Sequence, residues 1–305
     1  MPTEPDDTAG AAGAADAGPA AGPGAPLAGL GALVTGGGSG IGLAVARHLA
    51  ADGADVVVCG RTAARLDEAV EAIDAALASR PAGTIRAVVA DVTDEAAVAA
   101  AVAAADEGSV RGLGGVVASA GGSESIGPVT QLDRDAWERT LALNLTGTML
   151  TLKHGAAALA RRGGGSFVAV SSIASHLSHP WFGAYGPSKA GIDQLVRQAA
   201  DELGASGVRV NAVCPGLIDT DLVSFITAGG EVLDSYAENT PLGRVGRPDD
   251  VAALARFLVG PEAGWITGQC ITVDGGQSLR RGPSLASVLE PLYGADGLRG
   301  LVAEP

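Results

Sequence analysis

From Gly31 onward, short apolar runs alternate with longer Ala- and Leu-rich stretches in which apolar residues recur at helical spacing, the pattern of repeated βα units. The runs predict strands near 31–35, 55–59, 85–90, 113–118, 166–171, 208–213 and 269–273. Most are rich in Val, Ile or Leu without polar alternation, which implies burial on both faces, as in a parallel sheet covered by helices. Stretches 41–51, 62–79, 94–106, 135–161, 184–204 and 249–259 are long enough for the crossover helices that parallel strands require. The expected fold class is α/β, a doubly wound sheet of about seven parallel strands with helices on both faces, in a single domain.

The segment 217–245 is longer than a usual connection and carries Leu222, Val223, Phe225, Ile226, Leu233 and Tyr236, so it reads as a lid or binding loop. After the last strand, Ser284 is placed to cap a short helix in which Leu285, Val288, Leu289, Leu292 and Tyr293 repeat at helical spacing. That tail is expected to dock, on its own subunit or on a neighbour. Residues 1–28, rich in Ala, Gly, Pro and Asp, lack the basic start and apolar run of a secretory signal and read as a disordered tail. The predicted division is therefore 1–28 as tail, 29–278 as the dinucleotide-binding and catalytic domain, and 279–305 as a C-terminal extension.

Composition narrows the function. A formal charge of -14 argues against a general affinity for nucleic-acid backbones or anionic membrane surfaces. No segment offers the roughly 18 uninterrupted apolar residues of a spanning helix, so a cytoplasmic protein is expected. Cys59, Cys214 and Cys270 lie far apart without CxxC spacing and read as reduced core residues.

The first strand runs directly into Thr35-Gly36-Gly37-Gly38-Ser39-Gly40-Ile41-Gly42, followed by an Ala/Leu-rich helix. Glycines without Cβ let a backbone turn tightly and approach a pyrophosphate, and the amides of a helix N-terminus favour the anion. At the end of the second strand, Cys59-Gly60-Arg61-Thr62 offers no carboxylate to grip a ribose 2′-hydroxyl. Arg61 instead, with Ser39 and Thr62, suits a 2′-phosphate, because guanidinium presents a rigid fork of donors. NADP is thus preferred over NAD as cofactor. Asp91-Val92 and Ser119-Ala120-Gly121 close the third and fourth strands, where an adenine and ribose slot is expected in such a sheet.

Tyr185-Gly186-Pro187-Ser188-Lys189 opens a helix, and the spacing of four puts Tyr185 and Lys189 on one face. Pro187 is compatible with the first turn. A phenol titrating near 10 is a poor proton shuttle at neutrality, and a neighbouring ammonium is expected to lower it. Ser172, at the end of a strand, supplies a hydroxyl that can hold a substrate oxygen. An acid and a second donor on one oxygen are what a carbonyl needs as hydride arrives at its carbon.

These residues resemble the short-chain dehydrogenase/reductase superfamily, over about Gly29 to Gly276. TGGGSGIG is similar to its TGxxxGxG cofactor loop and YGPSK to its YxxxK, with Ser172 at the usual serine distance. Asn211-Ala212-Val213-Cys214-Pro215-Gly216 resembles its NAxxPG segment, and Pro241 to Pro248 its PLxRxGxP stretch. The resemblance implies a Rossmann-like fold, Tyr185 as acid/base, and Lys189 lowering its pKa while holding the nicotinamide ribose. It implies that Ser172 orients the substrate oxygen, that Asn144 completes a tetrad through a backbone-held water, and that Ile218 and Thr220 contact the carboxamide end of the nicotinamide. Homodimers or homotetramers are also implied, with a tail that reaches a neighbour's active site as one possibility. Ala118-Ser119-Ala120-Gly121 departs from the usual Asn-Asn-Ala-Gly, which removes two amide side chains near the adenosine.

His176, Leu177, His179, Pro180, Trp181 and Phe182 are expected to wall the substrate site, with His179 and Trp181 as substrate contacts beside Ser172 and Tyr185. The two histidines have no Cys or Asp cluster beside them, so no metal is expected. With the apolar 217–245 segment they imply a mostly apolar carbonyl or alcohol substrate. The expectation is an NADP(H)-dependent oxidoreductase interconverting a carbonyl and a secondary alcohol. An NAD-dependent alcohol dehydrogenase and a non-catalytic dinucleotide-binding protein are the alternatives.

Overall fold

The computed structural model describes residues 25–79, 81–280 and 284–301. The strands are β1 (Gly31–Thr35), β2 (Asp55–Gly60), β3 (Ile85–Val89), β4 (Leu113–Ala118), β5 (Gly165–Val170), β6 (Val208–Pro215) and β7 (Cys270–Val273). They form one sheet in the order β3-β2-β1-β4-β5-β6-β7, every pairing parallel. Strand order reverses between β1 and β4, which opens a crevice at the carboxyl edge of the sheet, the usual ligand position in such folds.

Alternate residues of each central strand enter two different cores. Ala32, Val34, Val56, Val58 and Val168 pack under α1 (Gly40–Ala51), α2 (Ala63–Leu77) and α9 (Pro248–Val259). Leu33, Val57, Val116, Phe167 and Val210 face α3 (Glu95–Glu107), α5 (Gly147–Arg161) and α6 (Tyr185–Leu203). Each such side chain stabilises the fold by roughly 1.5–3 kcal/mol when fully buried, so a polar residue at any of these positions is costly and the runs read as continuous apolar sequence. The edge strands differ from expectation: β3 is largely exposed beyond the buried Ile85, with Val89 in solvent, and β7 is half-buried. An edge has no neighbouring strand and helix to cover it.

Helix starts follow local chemistry. The Asp94 carboxylate accepts hydrogen bonds from the Ala96 and Ala97 amides at the head of α3, and Asp133 accepts from Ala136 at 2.7 Å. The predicted helix 135–161 is α4 (Arg134–Leu141), a π-helical turn over Ala142–Thr146, and α5. Such widened turns are rare and are frequent at functional sites; here the turn carries Asn144.

The 217–245 segment is not irregular throughout, as it contains the short helices α7 (Ser224–Thr227) and α8 (Glu231–Asn239). The tail forms α10 (Ala286–Leu298), kinked at Gly294, and the Ser284 hydroxyl accepts the Ala286 amide at 3.3 Å. It docks on its own chain: Leu285 and Leu289 bury against Ile226, Val232 and Tyr236. Most of the predicted N-terminal tail lies outside the described residues. Within its last four residues, Leu27 is buried in the first core and its amide bonds the Asp52 carbonyl, so ordered structure begins before Gly29. Among the described residues, no helix is long and apolar enough to cross a membrane.

Candidate active site

A cleft of about 290 Å³ opens at the strand-order reversal, lined by the chain that follows β1, β4, β5 and β6. Its floor is the glycine loop. Gly36 has φ +66°, and a Cβ there would lie 2.9 Å from the Ala120 backbone; a Cβ on Gly42 would lie 2.3 Å from the Gly36 carbonyl oxygen. Only glycine permits this approach. Ser39 precedes α1 in extended conformation and its side chain caps none of the first-turn amides, which leaves them to an external acceptor. Ser39, Gly40 and Ile41 line the cleft with the two glycines. The cradle fits a dinucleotide pyrophosphate.

Thr35, a motif residue to which the sequence reading gave no role, is buried, and its Oγ1 accepts from the Ser119 and Ala120 amides at 3.1 and 3.2 Å. This pins the ends of β1 and β4 together, where Ser119, Ala120 and Gly121 line the cleft. On the far side, Pro215, Gly216, Ile218 and Thr220 line it as well. Arg61, Asp91 and Val92 are not among the lining residues. Arg61 is exposed beyond β2, near enough to Asp91 that its charge helps hold that carboxyl below its ordinary range, after the Thr93 amide hydrogen bond. Val92 is buried beneath Gly147.

The cleft brings Ser172, Tyr185 and Lys189 together. Ser172 lies just beyond β5, and its Oγ accepts the Ala174 amide at 3.1 Å, leaving its own proton to donate. Lys189 is almost wholly buried, its Nζ donating to the Val170 carbonyl at 2.8 Å and lying 5.5 Å from the Tyr185 ring centre. Burial pushes the Lys189 ammonium down to about 8, against the opposing influence of Cys214 and Asp193. Burial pushes the Tyr185 phenol up, against a hydrogen bond from Ser172. The sequence led us to expect a lowered phenol. The difference arises because one dry site destabilises both charged forms, and desolvation of the phenol outweighs its hydrogen bond with Ser172.

Asn144 stands behind the cleft rather than on its wall. Its Oδ1 accepts the Gly122 amide at 2.9 Å, and its Nδ2 donates to the Gly122 carbonyl at 2.8 Å and to Ser188 Oγ at 2.9 Å. Ser188 in turn donates to the Tyr185 carbonyl at 2.7 Å. The side chain of Asn144 thus ties the loop after β4 to the turn that presents Tyr185, and Ser188 is a link that the sequence reading passed over although it lies inside YGPSK.

His179 and Phe182 line the cleft, ring centres 5.2 Å apart and edge to face. His179 Nδ1 meets the Leu177 carbonyl at 2.9 Å, and burial lowers the imidazole's pKa. Trp181 does not reach the cleft. It takes a left-handed backbone, φ +66°, and its ring packs with the cluster formed by α8 and α10. Leu217, Leu222, Val223, Ile226 and Tyr236 line the same cleft. Tyr236 was legible only as an apolar position of a long connection.

Residues 36–278 match the family model described as enoyl-(acyl carrier protein) reductase. The chain is 43% identical over 249 residues to cis-4-hydroxycyclohexanecarboxylate dehydrogenase of Sinomonas cyclohexanicum, covering 80% of this chain and 95% of that one. A solved short-chain type dehydrogenase/reductase from Mycobacterium ulcerans superposes with TM-score 0.87 at 52% identity, covering 90% of this chain and 99% of that one. A 7α-hydroxysteroid dehydrogenase solved with NADH and 7-oxo glycochenodeoxycholic acid gives TM-score 0.75 at 32% identity, covering 82% and 94%. With glycine cradle, Ser172, Tyr185 and Lys189 in one cleft, the chain belongs to the short-chain dehydrogenase/reductase family, nicotinamide-dependent oxidoreductases that act on alcohol and ketone substrates.

Proposed function

We propose that the protein is an NADP(H)-dependent oxidoreductase that interconverts a carbonyl and a secondary alcohol on a mostly apolar substrate, with Tyr185 as general acid and base. The convergence of Tyr185, Ser172 and Lys189 on one cleft carries this reading. A bound nicotinamide supplies hydride to the carbonyl carbon. Tyr185 passes its phenolic proton to the carbonyl oxygen, so the product is an alcohol and the side chain is left as phenolate. Lys189, beside the ring, stabilises that phenolate, and Ser172 donates a hydrogen bond to the same oxygen. Positioned proton transfer of this kind contributes roughly 10²–10⁴-fold. In the oxidative direction Tyr185 takes the proton back.

Gly36, Ser39, Gly40, Ile41 and Gly42 would hold the pyrophosphate, and Ser119, Ala120 and Gly121 the adenosine side. Pro215, Gly216, Ile218 and Thr220 would face the nicotinamide. Arg61 would pair with a 2′-phosphate, which its solvent-facing place at the end of β2 leaves it free to do, and Asp91 and Val92 would flank the adenine. We read residues 29–278 as the catalytic domain and 279–305 as an extension, in a cytoplasmic homodimer or homotetramer. The Sinomonas relative is named for a hydroxylated cyclohexane and the solved steroid enzyme for a fused ring, which supports cyclic ketones as first probes.

A ketone and alcohol panel followed at the nicotinamide absorbance tests the proposal. NADPH should give the higher kcat/KM. Because a hydrogen bond to a charged group is worth about 1.5–3 kcal/mol, Arg61→Ala should weaken use of NADPH by roughly 10–100-fold and leave NADH unaffected. Unaltered use of NADPH by that variant would contradict the phosphate assignment.

A further inference from the structure

Tyr236 is a second phenol in the cleft that the reaction above does not use. It is 4% exposed, and with Val232 it occupies one face of α8, packed against Ile226, Leu285 and Leu289. Its side chain nevertheless lines the cleft with Tyr185. The hydrogen bond at this residue is to its backbone, the Tyr236 carbonyl accepting from the Thr240 hydroxyl, and the phenol hydroxyl is not among the buried atoms left without a partner, so it is available to the cleft. The same lining segment carries Leu217, Leu222, Val223 and Ile226, whose side chains offer no acceptor, with Asp221 beside them. Burial keeps the phenol protonated well beyond neutrality, and proximity to Tyr185 reinforces this, so it stands as a donor.

We infer that Tyr236 is a substrate-binding donor and that the substrate carries a second oxygen acceptor, an ester, ether or ketone oxygen, besides its reacting carbonyl. The inference rests on the reading of Tyr185 as the group that meets the reacting carbonyl, since that leaves Tyr236 for a second oxygen. The tail is part of the device: Leu285 and Leu289 hold the Tyr236 ring, so α10 sets the hydroxyl's position from behind.

The test compares wild type and Tyr236→Phe on matched ketones that differ by one oxygen. Suitable pairs are a para cyclohexanedione against cyclohexanone, a para methyl oxocyclohexanecarboxylate against para-propylcyclohexanone, and ethyl acetoacetate against a linear hexanone. Wild type should favour the oxygen-bearing member of at least one pair by about tenfold in kcat/KM, and Tyr236→Phe should erase that preference by slowing only that member. Because the substitution keeps the ring and removes only the hydroxyl, Tm should hold. No preference by wild type in any pair, equal loss on both members, or a Tm drop of several degrees overturns the inference. Tyr185→Phe on the same pairs separates the two claims: turnover surviving in that variant overturns the acid/base reading, whereas an inactive Tyr185→Phe beside a Tyr236→Phe that keeps the wild-type preference, or slows both members equally, overturns only the role of Tyr236.

Discussion

Lys189 and Tyr185 are desolvated together, and the pH behaviour of the protein follows from that. With Lys189 lowered to about 8, its ammonium is lost as pH rises through that value, so kcat/KM for ketone reduction should decline above about pH 8. A pH profile with no descending limb before the ordinary lysine range would contradict the burial argument. Stability carries the same signature with its own sign. Between about 8 and the ordinary value of 10.5 the unfolded chain holds the lysine proton that the folded chain has released, so the contribution of Lys189 to stability rises with pH across that window. The contribution is fully present above the unfolded value and is lost as pH falls through about 8. Urea midpoints across this range should show the slope, and Lys189→Met should flatten it. The raised phenol of Tyr185 acts oppositely above its ordinary value of 10, and the raised thiols of Cys59 and Cys214 above theirs of 9.0, so the part of the window between about 8 and 9 reports Lys189. Asn144→Ala strands the Gly122 amide and carbonyl and frees Ser188; a loss of about 1–3 kcal/mol in urea unfolding, together with lower activity, is expected.

Among the elements, the glycine loop and the α8–α10 pair do different work. Gly42→Ala sets a Cβ 2.3 Å from the Gly36 carbonyl oxygen, so NADPH affinity should collapse. Leu289→Ala removes packing behind Tyr236 rather than any cleft contact. A destabilisation of about 2 kcal/mol, with KM rising more than kcat falls, is the expected outcome. These elements also mark how far the chain could be read directly. Seven strands and their covering helices were legible because alternate residues enter two cores, which forces unbroken apolar runs, and β1 declares its role by running into the glycines. The π-turn was hidden, since one extra residue in a helical repeat leaves the periodicity of Leu141, Leu145 and Thr148 nearly intact. Trp181 reads as a cleft aromatic by proximity to Tyr185 in sequence, yet its left-handed backbone turns it to the tail cluster. Tyr236 was obscure for the opposite reason: its partners, Leu285 and Leu289, lie some fifty residues onward, and no local pattern encodes that contact.

Taken whole, the molecule places two cores on either face of a parallel sheet and gathers its chemistry where strand order reverses. A ligand bound there contacts the ends of four strands and should stabilise them as a unit. At one hundred times Kd, NADPH should add roughly 2.7 kcal/mol to the unfolding free energy, and NADH at the same concentration less. Equal thermal shifts would count against the preference for NADP. The central claim is that the proton reaching the substrate oxygen comes from the phenol beside Lys189. Tyr185→Phe keeps the ring, so NADPH binding, followed by nicotinamide fluorescence, should persist while kcat/KM for ketone reduction falls about 10³-fold or more; a variant that binds NADPH and reduces the ketone at the wild-type rate would contradict the account.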